Sequence, residues 1–157
     1  MLKEYPKVST IITDASCFIL LDKIDGLFIL EKLYKQVFTT PEIAAEYGKR
    51  LPSWVNVQAV INRDLLYTYA DLVDIGEASA LALAAEVLLP SLILDDLKAR
   101  KLADELNLEF TGTLGVLILA KQNGIIPALL PYFEKIKKTD FRISVNFLKI
   151  LLDKYDS

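Results

Sequence analysis

Brief apolar runs in this chain repeatedly stop at a polar residue and give way to helical spacing. VSTIIT (8–13) ends at Asp14, QVFT (36–39) at Thr40-Pro41, and SLIL (91–94) at Asp95. Runs this short, built of β-branched, apolar and hydroxyl residues, suit buried strands. WVNVQAV (54–60) alternates and reads as an edge strand or as an irregular connector, and residues 108–110 as a short strand. Helical patterning fills the intervals 15–23, 27–34, 62–72, 76–89, 96–106 and 112–123, followed by 127–138 and 145–155. A further helix starts at Thr40-Pro41, a hydroxyl cap followed by proline at the first helical position, and stops at Gly48. Strands alternating with helices predict an α/β fold, with a central mainly parallel sheet covered on both faces. In such sheets ligands gather at the carboxyl ends of the strands, near the point where strand order reverses. Asp14 and Asp95 both fall at predicted strand ends.

The length of 157 residues suits one domain, 1–157, whose last part, about 127–157, is helical. Such a chain buries about 68–70% of its unfolded surface. More than half of the residues are hydrophobic, yet no apolar run reaches the roughly 18 residues of a membrane span. The opening MLKEYPKVST lacks the apolar stretch of a signal peptide. The lone Cys17 cannot form an internal disulfide, so a reducing cytoplasm is the expected setting. An oily chain without a membrane segment suggests surface held for a partner, often a second copy.

The chemistry is narrowed by what is missing. There is no histidine, so metal or acid/base work rests on carboxylates. Oxygen ligands favour Mg²⁺ or Mn²⁺ over zinc. Asp14 would cap the helix that follows, bind a ligand, or do both, with Ser16 near enough to orient it. Glu42 and Glu46 lie on one helix face. The helix dipole explains Glu42 but not Glu46, which sits towards the C-terminal end unless Lys49 or Arg50 pairs with it. Glu77 shares a face with Ala80, Leu81 and Ala84, a stripe expected to be buried, where a lone carboxylate is costly. Asp95-Asp96 is the densest pair; two carboxylates about 4 Å apart repel by roughly 4 kcal/mol at an effective dielectric near 20. A divalent cation would remove that repulsion. Alternatively, Asp96 caps the next helix while Asp95 faces solvent.

The net charge of −3 and pI near 5.0 do not favour nucleic-acid binding by the molecule as a whole. Lys98, Arg100 and Lys101 nevertheless follow the aspartate pair, and Lys135, Lys137, Lys138 and Arg142 cluster near the C-terminus. Either group fits a phosphate-binding surface or a solvated helix face. Gly112, Thr113 and Gly115 open a helix whose N–H groups could hold a phosphate. There is no GxxxxGK[ST] sequence, so a P-loop is unsupported.

In order along the chain stand TDAS (13–16), PEIAAEYG (41–48), GEASALALA (76–84), LDDLKARKLA (94–103) and TGTLGVLILAKQNG (111–124). Together they resemble the PIN-domain nucleases, in a branch similar to the VapC-like toxins of toxin–antitoxin pairs. LLPYFEKIKKTDFRISVNFLKILL is similar to that branch as well, so the resemblance spans nearly the whole chain. It implies a three-layer α/β/α sandwich and a pocket of acidic residues holding Mg²⁺ or Mn²⁺. By position, Asp14, Glu46, Glu77 and Asp95 or Asp96 would be the catalytic, metal-binding carboxylates, with Ser16 and Thr113 in support. Glu77 stands where the wider family more often has aspartate. The implied activity is hydrolysis of RNA phosphodiesters, with Lys98, Arg100 and Lys101 on the RNA backbone. A homodimer and a small antitoxin are the implied partners. Two other readings fit the residues: a PIN scaffold that binds protein or nucleic acid without cutting, and a phospho-accepting regulatory domain, which leaves Glu46 and Glu77 without a role.

Overall fold

The computed structural model describes residues 9–156; Val8, which opens the predicted first strand, and Ser157 lie outside the described residues. The strands are β1 (Thr10–Thr13), β2 (Val37–Thr39), β3 (Val55–Val57), β4 (Pro90–Ile93) and β5 (Glu109–Thr111). They form one sheet in the order β3-β2-β1-β4-β5. Every pairing is parallel, with Ile12 beside Phe38 on one flank and Leu92 on the other. The expected mainly parallel sheet is thus wholly parallel among the described residues. WVNVQAV does supply an edge strand, and only its first part pairs.

Nine helices accompany the sheet among the described residues: α1 (Ala15–Lys23), α2 (Phe28–Leu33), α3 (Pro41–Tyr47), α4 (Arg63–Ala70), α5 (Ile75–Ala84), α6 (Leu97–Glu105), α7 (Thr113–Gln122), α8 (Leu130–Lys137) and α9 (Val145–Tyr155). The architecture is a PIN-like α/β/α sandwich. Ile12, Leu92 and Ile93 on the central strands are almost wholly buried, which explains why their runs carry no polar alternation. α5 lies against both β1 and β4. Its burial almost all round follows from its Ala/Leu composition. No helix among the described residues is long and apolar enough to cross a membrane.

Two helix boundaries depart from expectation for physical reasons. The helix predicted over 76–89 ends at Ala84. Beyond it the Glu86 carboxylate accepts hydrogen bonds from the Ile61 and Asn62 N–H groups at 2.6 and 3.2 Å. Leu89 then turns left-handed, at φ 49°, immediately before Pro90, whose ring disfavours helical backbone in the residue before it. The C-terminal segment expected to be helical from Pro127 starts instead at Leu130. A helix begun at Pro127 would hold Pro131 in its interior, where the ring strikes the carbonyl four residues back. Starting at Leu130 leaves Pro131 in the first turn, and Asp156 accepts from the Leu129 and Leu130 N–H groups at 2.7 and 3.0 Å.

Candidate functional site

β1 and β4 are adjacent, and the order of strands reverses between them. Their carboxyl ends deliver Asp14 and Asp95 side by side. Asp14 does two jobs. Its Oδ1 accepts the Cys17 N–H at 2.9 Å, capping α1, and its Oδ2 accepts the Asp95 N–H at 3.2 Å. The side chain is only 2% exposed. Burial, then the nearby Asp95 charge, pushes its carboxyl up to about 8, against the pull of those two backbone donors.

Asp95 is half-buried and doubly held. Its Oδ1 accepts the Thr113 N–H at 2.8 Å and its Oδ2 the Thr113 hydroxyl at 2.6 Å. The start of α7 is therefore occupied by a carboxylate of the chain itself, where a phosphate was one expectation. Asp96 points its Oδ2 at the Ala99 N–H, 3.0 Å away, and caps α6. The doublet is thus divided: Asp96 is the expected cap, but Asp95 faces Asp14 where solvent had been the alternative.

Glu77 stands in the first turn of α5. Its Oε2 is buried without a hydrogen-bond partner, an arrangement that is costly for a charged group. Burial first, then the charges of Asp74, Glu46 and Asp96, raise its carboxyl to about 7. Glu46 is shifted in the same direction by burial and by Asp74. α3 is seated on α5 by the Thr40 and Ser79 hydroxyls, 2.6 Å apart, and Ser79 also donates to the Gly76 carbonyl. That contact brings the Glu46 carboxylate against Gly76, the neighbour of Glu77.

These side chains form a connected run of negative charge, from Asp95 and Asp14 through Glu77 to Glu46, with Asp96 and Asp74 beside it. Among the described residues none of the six is in an ion pair. Lys49, a possible partner for Glu46, instead binds Asp22 at 2.7 Å. A divalent cation suits this oxygen-only, self-repelling donor set and the unpartnered Glu77 oxygen. As they stand, however, no three acidic or thiol groups among the described residues gather closely enough to hold one ion.

Asp74 joins the run from outside the expected set of carboxylates. The D-x-x-E spacing to Glu77 marks a helix start and could have drawn attention to it, although Asp74 makes no side-chain cap bond. Ser16 sits half-buried in the first turn of α1 and lines a small cleft beside Arg142. Of the basic residues after the doublet, Lys98 lines a cleft of about 910 Å³ with Asp74, Asp95 and Asp96. Arg100 is anchored at one end: its Nε donates to the Leu94 carbonyl at 2.7 Å, its guanidinium lies 5.5 Å from the Phe110 ring centre, and it lines a cleft with Asp95. Lys101 is exposed on α6 and lines neither of the larger clefts at this end of the sheet. Cys17 is a wholly buried core thiol, pushed up by burial and by Asp14.

A parallel α/β/α sandwich with carboxylates at its topological switch point places acidic side chains where open α/β sheets bind ligands. A family model described as a PIN domain matches residues 10–157, and the chain belongs to the PIN-domain family. PIN domains are generally nucleases. Searches of curated proteins and of solved structures return no significant match.

Proposed function

We propose that this chain is a metal-dependent endoribonuclease, the toxin half of a toxin–antitoxin pair. The observation that carries the reading is the buried, unpartnered Oε2 of Glu77, set within a run of mutually repelling carboxylates at the strands' carboxyl ends. Asp14, Asp95, Glu77 and Glu46 would hold Mg²⁺ or Mn²⁺, with Asp96 adding charge. Bound there, the cation would supply Lewis-acid activation of water and neutralise charge on the phosphoryl oxygens.

The remaining work falls to the chain. Thr113 keeps Asp95 from swinging away, through two bonds to one side chain. Asp14 ties the end of β1 to the end of β4 through the Asp95 N–H. Glu77 presents its unpartnered Oε2 beside the other carboxylates, where it would serve as an oxygen ligand. Lys98 lines the same cleft as the doublet and would meet the RNA backbone. Arg100, its Nε anchored on the Leu94 carbonyl, lines the adjoining cleft with Asp95 and would meet the backbone from there. A second copy of the chain and a small antitoxin are the partners this reading anticipates, in a reducing cytoplasm.

The test is cleavage of labelled RNA with Mn²⁺ by the wild type, Asp14→Asn and Glu77→Gln, with circular dichroism to verify the fold. Both variants should be inactive and folded; unchanged cleavage rejects the site. The second reading, a PIN scaffold that binds without cutting, draws on the absence of a ready-made three-carboxylate ion site among the described residues. RNA binding by the wild type without metal-dependent turnover would favour it.

A further inference from the structure

Arg142, on the connection between α8 and α9, lines three clefts at once. It borders the acidic cleft with Asp74, Asp95 and Asp96, a small cleft with Ser16 and Asp140, and a third of about 620 Å³ that also contains Asp95. The arginine thus stands where these clefts meet. It is exposed and joins none of the ion pairs among the described residues, although acidic side chains share its surroundings. An arginine is suited to a phosphate through its planar fork of donors.

The third cleft differs in character from the acidic one. Its walls include Phe110, Phe141, Ile143 and Phe147, with Arg100 at one side. Its size falls within the range of small-ligand sites. Phe110 already has the Arg100 guanidinium over its ring. Phe141 and Phe147 stack on no other ring; the one aromatic pair among the described residues is Phe18 with Tyr47. Phe147 is 47% exposed, although an aromatic ring of a helix normally packs inward. An open phenyl face beside a cationic fork is a platform for an unstacked base, which a single strand can present and a duplex cannot.

The geometry points to this cleft as the subsite for the nucleotide next to the scissile phosphate of single-stranded RNA, with Arg142 binding its phosphate and Phe147 receiving its base. It rests on the reading of the acidic cleft as an RNA site. Asp95, common to both clefts, connects them. The occupant follows from charge: Arg142 supplies positive charge at the edge of a strongly acidic cleft, where a polyanion otherwise meets repulsion.

The experiment is fluorescence anisotropy with a short labelled single-stranded RNA in EDTA, so that cleavage plays no part, over a series of salt concentrations. Arg142→Gln should weaken binding about tenfold and flatten the log–log salt slope by about 0.7, the share of one phosphate contact on a single strand. Phe147→Ala should weaken it by a similar factor, in the range of base–aromatic stacking, and leave the slope unchanged, while Phe147→Trp should restore binding. Unaltered affinity and slope in Arg142→Gln would overturn the inference. So would absence of RNA binding by the wild type, or equal competition by an RNA duplex. Binding that depends on Arg142 and Phe147 in a protein that never cuts RNA would keep the cleft as a single-strand binding site, overturn its place beside a scissile phosphate, and count against the nuclease.

Discussion

Thr113 grips Asp95 with both of its donors, the backbone N–H at 2.8 Å and the hydroxyl at 2.6 Å. The residue is wholly buried, so the carboxylate of Asp95 is located by the first turn of α7 and not by its own loop. Thr113→Val keeps the shape and the N–H but removes the hydroxyl. A hydrogen bond to a charged group is worth about 1.5–3 kcal/mol, and about 3 °C of melting temperature accompanies each kcal/mol in a protein of this size. The expected result is a melting temperature lower by about 4–9 °C. Mn²⁺-dependent kcat should fall by about tenfold with KM for RNA little changed, and Thr113→Ser should recover both.

A carboxyl raised on folding makes the protein less stable as pH rises. Asp14 moves from 3.8 to about 8 and Glu77 from 4.5 to about 7, so between about pH 4 and 8 the folded state binds more protons than the unfolded one. Their protonated contribution is complete below the unfolded values and is lost as pH climbs through the folded ones. In EDTA the melting temperature should therefore decline between pH 5.5 and 8.5. Asp14→Asn, neutral at every pH, should flatten the decline and melt higher than wild type at pH 8.5. A flat wild-type profile would show that the two groups ionise without penalty.

Metal should reverse that dependence. A cation that binds the folded chain stabilises it by about 2.7 kcal/mol at a hundred times its dissociation constant. It competes with protons for Asp14 and Glu77, so Mn²⁺ should raise the melting temperature more at pH 8 than at pH 6. An equal rise at both would place the ion away from these carboxylates.

The acidic site was partly legible because several of its members sit at chain punctuation. Asp14 and Asp95 terminate strands, and parallel topology sends strand ends to one edge. Glu77 betrayed itself on an apolar helical stripe. The remainder depended on contacts between distant segments. Whether Lys49 neutralised Glu46 could not be read from neighbouring positions, since the lysine reaches Asp22 in another helix. Neighbouring positions likewise carry no sign that Arg100 is anchored by the Leu94 carbonyl and the Phe110 ring. Asp74 enters the site only through the turn that joins α4 to α5. The early end of α5 likewise follows from Glu86 reaching back 25 residues to Ile61, which composition alone does not reveal.

Gly76 provides a separate test of Glu46. A Cβ built there would lie 2.5 Å from the Glu46 Oε2, and a flexible, exposed glutamate can yield to it. Alanine also favours helix over glycine by about 1 kcal/mol. Gly76→Ala should therefore fold with stability equal to or above wild type, yet bind Mn²⁺ severalfold more weakly as the Glu46 carboxylate is displaced. Isothermal titration would measure this. Unchanged Mn²⁺ affinity in a folded Gly76→Ala protein would remove Glu46 from the metal site.

Glu86 supplies the opposite case, a carboxylate whose work is wholly structural. It accepts from the N–H groups of Ile61 at 2.6 Å and Asn62 at 3.2 Å, fastening the segment after α5 to the entry of α4, whose own cap is Asn62. Glu86→Ala leaves both donors to water. Because the contact is partly exposed, the loss should be modest, about 1–2 kcal/mol, or about 3–6 °C in melting temperature. The helix pair α4–α5 carries Glu77, but its packing is dominated by apolar contacts such as Leu66, which is fully buried. Mn²⁺ affinity and RNA cleavage well below the melting temperature should therefore match wild type. A Glu86→Ala protein that melts normally but loses Mn²⁺ would contradict the division drawn between this carboxylate and Glu77.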